Sequence, residues 1–311
     1  MPLNTDAKKN IIKKVISNQD YRDEVLVIID EIFLDYCISF FKQVVYAKID
    51  ALGEKSDWYK KVFLNPDLPK EQIAINSGLN MKSITNAFNS SKKEVVIQAS
   101  YDNYNRLQKT INDLVSNGNN FEIKLSIKFK DVAVDLTVAE SLIVINTIAV
   151  KRAEIRGGMW SAVGKQVEKP LMTTLCMLFN VPFEYHVQDS NPDSFREVDF
   201  YVLSKDGKKL RTEVKLMGKG NPESADAIFA RQPAIFLADK LSDKNKKQAE
   251  MLNVQWIELR NKGGYKRFQE VLNALNVPNS DLNGDLNTRL DEILKERELS
   301  GNILKKFKIC K

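Results

Sequence analysis

At 311 residues the chain is long enough to bury a sizeable core and to divide into two domains. A formal net charge of +6 and an isoelectric point near 8.9 are compatible with a nucleic-acid partner but do not demand one. Cys37, Cys176 and Cys310 have no ligand spacing and His186 is the single histidine, so a cysteine- or histidine-built zinc site is excluded.

The N-terminus shows no signal-peptide pattern, and the most hydrophobic run, Val25 to Val45, is broken by Asp30, Glu31, Asp35 and Lys42. Those acids argue against a membrane span, and a cytoplasmic protein with reduced, packed thiols is expected. Residues 5 to 18 read as a lysine-rich helix. A long helix follows from about Arg22 to Leu52, with Leu26, Ile29, Phe33, Cys37, Phe40 and Val44 at three-to-four spacing. Its broad apolar face suits burial within a helical domain first, with a share in a homodimer contact through Phe33 and Phe40 as the alternative.

The segment D-L-P-K-E-Q-I-A-I-N-S-G-L-N-M-K-S-I-T-N-A-F-N-S, residues 67 to 90, has the pattern of a helix-turn-helix. Ala74 permits close helix crossing, Gly78 makes the turn, and Ile84 packs the second helix, about Met81 to Asn89. That helix would present Lys82, Ser83, Thr85 and Asn86 to base edges or phosphates. A purely structural helical hairpin has the same spacing, so DNA contact and scaffold both stand. Another helix is expected over Glu94 to Leu114, and the polar run Ser116 to Asn120 is the best domain boundary.

Phe121 to Phe129 alternates as a strand with one wet face, and Val132 to Val138 can pair with it. Leu142 to Val150 is more uniformly apolar and reads as buried or helical. Arg152 to Gly158 reads as a basic, glycine-containing approach in which Arg156 could hold backbone phosphate or belong to an ordinary loop. Ser161 would cap the next helix, whose stripe is Val163, Val167, Leu171, Leu175 and Leu178. Lys165 and Glu168 lie off that stripe, and Pro170 should bend the helix. His186 is expected on a loop or strand surface. Further on, a short helix over Pro222 to Arg231 precedes a strand at Ala234 to Leu237, a helix at Lys244 to Leu252 and a strand at Val254 to Leu259. This β-α-β ending supports a mixed sheet with helices on both faces. A helix over Tyr265 to Leu275 and a charged one over Thr288 to Arg297 complete the chain.

Arg196 to Lys219 reads as two short strands joined at Asp206-Gly207. Period two puts Glu213 and Lys215 on one face of the second strand and Val214 on the other. A three-residue loop, Lys205-Asp206-Gly207 with a left-handed glycine, would set Asp199 opposite Glu213. A two-residue Asp-Gly turn would pair Asp199 with Val214 and send the carboxylates to opposite faces. Two carboxylates and a lysine gathered on one wet face suit Mg²⁺, which takes oxygen ligands and keeps waters able to attack a phosphodiester. From Lys205 to Lys219 there are six Lys or Arg against two acids, which favours a polyanion nearby.

V-D-F…T-E-V-K resembles the D…E-x-K core of the PD-(D/E)xK nuclease superfamily. Arg156 to Pro182 is similar to the helix before that core in a subset of bacterial type II restriction endonucleases. On this resemblance Asp199 and Glu213 would hold the metal, Lys215 would be the catalytic lysine, and Glu168 an extra acid beside the metal. Val198 stands where the superfamily has proline. The fold implied is α/β, a mixed central sheet flanked by helices and preceded by a helical region with a possible helix-turn-helix. Three parts are expected: helical DNA-binding or dimerisation residues 1–116, a catalytic domain 121–275, and a C-terminal loop and helix 276–311. The activity implied is Mg²⁺-dependent, site-specific hydrolysis of double-stranded DNA to 5′-phosphate and 3′-hydroxyl ends. DNA contacts are expected from Lys82, Ser83, Thr85, Asn86, Arg156, Lys165 and Lys219, and a homodimer on DNA. Two other readings remain at this point: a repair, recombination or transposon-type nuclease with the same core, and a helix-turn-helix regulator without catalysis.

Overall fold

The computed structural model describes residues 3–51, 57–116, 124–187, 200–216, 228 and 232–295. Two compact units emerge, one made of Met1–Leu26 with Met159–Lys311, the other of Val27–Gly158. Two helices run through both: α2 (Arg22–Asp50) and a 41-residue helix, α7 (Val138–Leu178). The boundary expected after Ser116 falls largely on residues 117–123, outside the described residues.

The Val27–Gly158 unit is mostly helical, with α3 (Trp58–Phe63), α4 (Lys70–Asn76), α5 (Met81–Phe88) and α6 (Lys93–Ser116) beside its share of α2 and α7. Its core gathers Phe40, Val44, Trp58, Tyr59, Phe63 and Tyr104 around Ile143 and Val144. The buried Tyr59 hydroxyl is satisfied by Thr147 at 2.7 Å and by donating to the Asn76 carbonyl at 3.0 Å. Strands β1 (Leu125–Phe129) and β2 (Val132–Leu136) pair antiparallel as a separate two-stranded sheet, matching the alternation of the sequence.

A helix-turn-helix is present where the sequence placed it. Ala74 and Ile84 pack with Val96 and Ala99 of α6, and Leu79 and Met81 close over them. Asn80 caps α5 by accepting from the Ser83 amide at 2.8 Å. Gly78 makes the turn at φ +87°, and a Cβ there would stand 2.3 Å from Asn146 Nδ2. The backbone therefore calls for glycine, and any side chain there would also have to displace the Asn146 amide.

In the other unit a five-stranded sheet runs β3 (His186–Val187), β4 (Phe200–Leu203), β5 (Lys209–Lys215), β6 (Ile235–Ala238), β7 (Gln255–Glu258). The first two pairings are antiparallel and the last two parallel, so the sheet is mixed, as expected. Helix α8 (Asp243–Met251) connects β6 to β7 and packs on β7, as does α9 (Gly264–Ala274). Residues 286–295 are helical. The short helix expected over Pro222 to Arg231 lies outside the described residues apart from Ile228.

Three local expectations are corrected. Arg152 to Gly158 is helix, not a loop, and Ser161 sits mid-helix rather than at a cap. The apolar stripe begins earlier than Val163: Ile155, Met159, Val163, Val167, Leu171 and Leu175 recur every four residues and are all buried. Burying six such side chains outweighs the roughly 1 kcal/mol that each interior glycine costs, so Gly157, Gly158 and Gly164 do not break the helix. His186 lies on a strand but is buried, stacked on Phe200 at 6.2 Å and met edge-on by Phe183 at 5.3 Å.

The glycines predict opposite responses. Gly78→Ala should destabilise by about 1–3 kcal/mol, through a positive φ and the clash with Asn146. Gly157→Ala, where a Cβ meets nothing within 4 Å, should stabilise by about 0.5–1 kcal/mol. Urea unfolding of both variants measures the pair of signs.

Candidate active site

The hairpin of β4 and β5 decides the register on which the candidate chemistry depends. Ser204 N–H donates to the Lys208 carbonyl at 3.1 Å, and Gly207 N–H donates to the Ser204 carbonyl at 2.9 Å. The loop is thus the three residues Lys205, Asp206 and Gly207, with Gly207 left-handed at φ +80°. Ser204 also receives the Lys208 amide on its hydroxyl at 3.2 Å. Beyond this loop the ladder pairs Leu203 with Lys209, Tyr201 with Arg211 and Phe200 with Thr212. The two-residue alternative is ruled out.

Along β5 the side chains alternate. Leu210, Thr212 and Val214 are buried on one face, and Arg211, Glu213 and Lys215 share the other. Lys215 Nζ lies 2.8 Å from Glu213 Oε1. Glu213 is fully buried, with no exposed surface, whereas the Lys215 side chain keeps 28 % of its own. The wet face expected for both residues is therefore wrong for Glu213. β5 is an interior strand, bonded to β4 on one side and to β6 on the other, where Glu213 stands opposite Phe236. Period two reports which side chains share a face; it does not report whether that face is covered.

Asp199 lies outside the described residues. Glu168 is half-buried on α7, its Oε1 lying 3.2 Å from where a Cβ on Gly164 would be, so the carboxylate occupies space that the glycine leaves. Among the described residues no three His, Cys, Asp or Glu side chains gather as a metal cluster. Glu213 supplies the hard oxygen donors that suit Mg²⁺, next to a lysine that balances their charge.

One neighbour escaped the sequence reading. Asp239 closes the apolar strand Ile235–Ala238, is fully buried, and donates its amide to the Lys215 carbonyl at 3.3 Å. Its Oδ2 accepts from the Tyr21 hydroxyl at 3.2 Å and lies 3.9 Å from Arg260, whose Nη2 is 3.5 Å from Asp20. Burial, then the Asp239 charge, push the Tyr21 phenol above its ordinary range, so it stays a neutral donor. Arg22, hydrogen-bonded to Asp20, holds that carboxyl well below the usual carboxylate range. A lone acid ending an apolar strand was the available signal in the sequence.

Lys82, Ser83, Thr85 and Asn86 are all exposed on α5, although the Ser83 hydroxyl is engaged at the cap, donating to Asn80 Oδ1 at 3.1 Å. A cavity of about 420 Å³ lies beside them, lined by Leu79, Ser83, Phe88, Asn103 and Arg106 among others. Arg156 and Lys165 are exposed on α7, and Lys219 lies outside the described residues.

The mixed sheet thus carries a buried glutamate and a lysine on its central strand, and a helix-turn-helix lies in the other unit. Residues 5–246 match the CfrBI restriction endonuclease family. The chain belongs to that family. No curated protein and no solved structure matches it. The match spans the helix-turn-helix, α7, the β4–β5 hairpin and β6, well beyond the stretch from Arg156 that carried the resemblance in the sequence. As a family member the protein is an enzyme that hydrolyses DNA, of the metal-dependent nuclease type, and the regulator without catalysis is set aside. No helix of the described residues is long and apolar enough to cross a membrane.

Proposed function

We propose that the protein is a Mg²⁺-dependent type II endonuclease of the bacterial cytoplasm that cuts double-stranded DNA at a defined sequence, leaving 5′-phosphate and 3′-hydroxyl ends. The observation that carries this reading is the Glu213–Lys215 pair at 2.8 Å on the central strand β5. The hairpin register, Phe200 opposite Thr212, is the one under which the sequence sets Asp199 opposite Glu213, and this supports Asp199 as the second carboxylate. We assign metal ligation to Asp199 and Glu213, with Glu168 on α7 as the additional acid. Mg²⁺ held there would activate water and neutralise charge on the phosphate. Lys215 would orient that water and offset the charge that builds on the phosphoryl oxygens. The Tyr21–Asp239–Arg260 network anchors the end of β6 against the Lys215 carbonyl, which fixes the strand that carries the lysine.

Two changes on β5 test the chemistry. Glu213→Gln and Lys215→Ala should each lower plasmid cleavage in Mg²⁺ by at least about 100-fold. Sequencing of the ends made by the wild-type protein then separates a single defined site from the scattered or structure-directed cuts of a repair nuclease. Wild-type cleavage by either variant would remove β5 from the chemistry.

We assign sequence reading to α5, whose exposed Lys82, Thr85 and Asn86 are free of the packing that holds Ile84. Lys82→Ala should weaken binding across sequences and reduce the salt slope by about 1, whereas Thr85→Ala or Asn86→Ala should change the preferred site. Binding selections in Ca²⁺ with the three variants measure this. No change in all three returns the motif to a scaffold role.

Cutting both strands of a symmetric site is most simply done by two copies related by a two-fold axis, so we assign a homodimer. The contact expected through Phe33 and Phe40 does not fit: Phe40 is buried in the core, and Phe33 is half-buried beneath Arg152 at 5.0 Å. Val27, Leu34 and Ile38 are the exposed apolar residues on one face of α2. Ile38→Glu should convert a dimer to a monomer in sedimentation while leaving the unfolding midpoint unchanged. A dimer that survives the substitution moves the contact elsewhere.

A further inference from the structure

On the catalytic face of β5, two residues before Glu213, stands Arg211. The Nε and Nη2 atoms of its guanidinium are sealed from solvent and meet no hydrogen-bond acceptor. Among the described residues Arg260 also has such atoms, but Asp20 and Asp239 lie 3.5 and 3.9 Å away and the Tyr21 ring lies beneath it. Arg211 has no comparable carboxylate or ring. Its partner across the ladder is Tyr201, over whose ring the neighbouring Lys209 sits at 6.0 Å.

A guanidinium cannot shed its charge at working pH, so sinking it without an anion opposes folding. The residue as a whole is half-buried but these two nitrogens are not open, so a phosphate reaches them only when the side chain turns outward on the face it shares with Glu213 and Lys215. At about 3.3 Å of rise per residue it stands roughly 6.6 Å along the strand from Glu213. Its forked donors match the oxygens of a phosphodiester, which can accept two parallel N–H bonds.

We propose that Arg211 binds a DNA backbone phosphate adjacent to the one that is cleaved, and so sets the position of the strand over Glu213 and Lys215. This rests on β5 being the catalytic strand. The missing acceptors in the free protein are supplied by the substrate, and folding stability is given up for binding.

Arg211→Met keeps the stem and removes the charge. The full-length variant is compared with wild type by binding to linear plasmid DNA in Ca²⁺ across a salt series, and by thermal unfolding without DNA. Affinity should fall roughly 10- to 100-fold, as expected for a lost charged hydrogen bond. The slope of log affinity against log salt should fall by about 0.9, one phosphate contact. The unfolding midpoint without DNA should hold or rise, where a structural arginine would make it drop. Arg211→Lys should keep the salt slope and lose only part of the affinity. An unchanged slope in folded Arg211→Met overturns the proposal, and so does a lowered midpoint or a failure to fold. Glu213→Gln, run in parallel, reports on the catalytic strand itself: retained cleavage there would refute that reading independently of what Arg211 does to binding.

Discussion

A carboxylate with no exposed surface, set 2.8 Å from an ammonium on its own strand, is the constraint around which this fold is arranged. Burying such a charge costs several kcal/mol unless it is paired. The pairing is local, because residues two apart on a strand share a face. The burial is not local: it needs β4 and β6 bonded to either side of β5. Register on one side comes from Gly207, which lets the chain close a three-residue loop at positive φ. On the other side β6 pairs parallel with β5, and just past its end Asp239, held by the Tyr21 hydroxyl, donates its amide to the Lys215 carbonyl. Local turn chemistry and long-range packing thus converge on one strand.

Helix α7 shows how packing overrides local preference. Three glycines and a proline lie within its span, and each disfavours helix by itself. Pro170 has no N–H to give to the Gln166 carbonyl, yet the helix continues, with the Thr174 hydroxyl donating to the Pro170 carbonyl at 2.9 Å. What holds it is the buried stripe with a four-residue repeat from Ile155 to Leu175. Because the stripe is continuous, Arg156, Lys165 and Glu168 all fall within helix α7 instead of on a loop and a separate helix.

Much of this was legible in the sequence, for identifiable reasons. The helix-turn-helix, the β1–β2 hairpin and the β-α-β ending each rest on short-range rules of period, turn glycine or cap, whereas the three-residue loop is one of two turns that the sequence allows and the ladder register selects it. The misread features depend on distant residues. Glycines in Arg152 to Gly158 suggested a loop because the buried stripe outside Val163 to Leu178 was not counted. Alternation looks the same for a wet face and a covered one, so it does not report the burial of Glu213. His186 was placed at the surface for want of any signal that Phe183 and Phe200 would enclose it. Phe40 was offered to a partner because a broad apolar face does not say which part of it α3 will cover.

The face of β5 also carries a charge pattern with functional content. Arg211, Glu213 and Lys215 alternate in sign along one line, cation, anion, cation, at the spacing of the pleat. Lys215 lies 2.8 Å from one oxygen of Glu213, while Arg211 two residues away has no comparable contact. For a protein that only had to fold, an apolar residue at 211 would serve better, since it would fill the same half-buried position without a charge. For a protein that must seat a polyanion across a buried carboxylate, positive charge on both sides of Glu213 is what offsets the repulsion between that carboxylate and the phosphates. The strand is then comprehensible as a binding surface first and a structural element second. Its least stable feature as free protein is the one that DNA would complete.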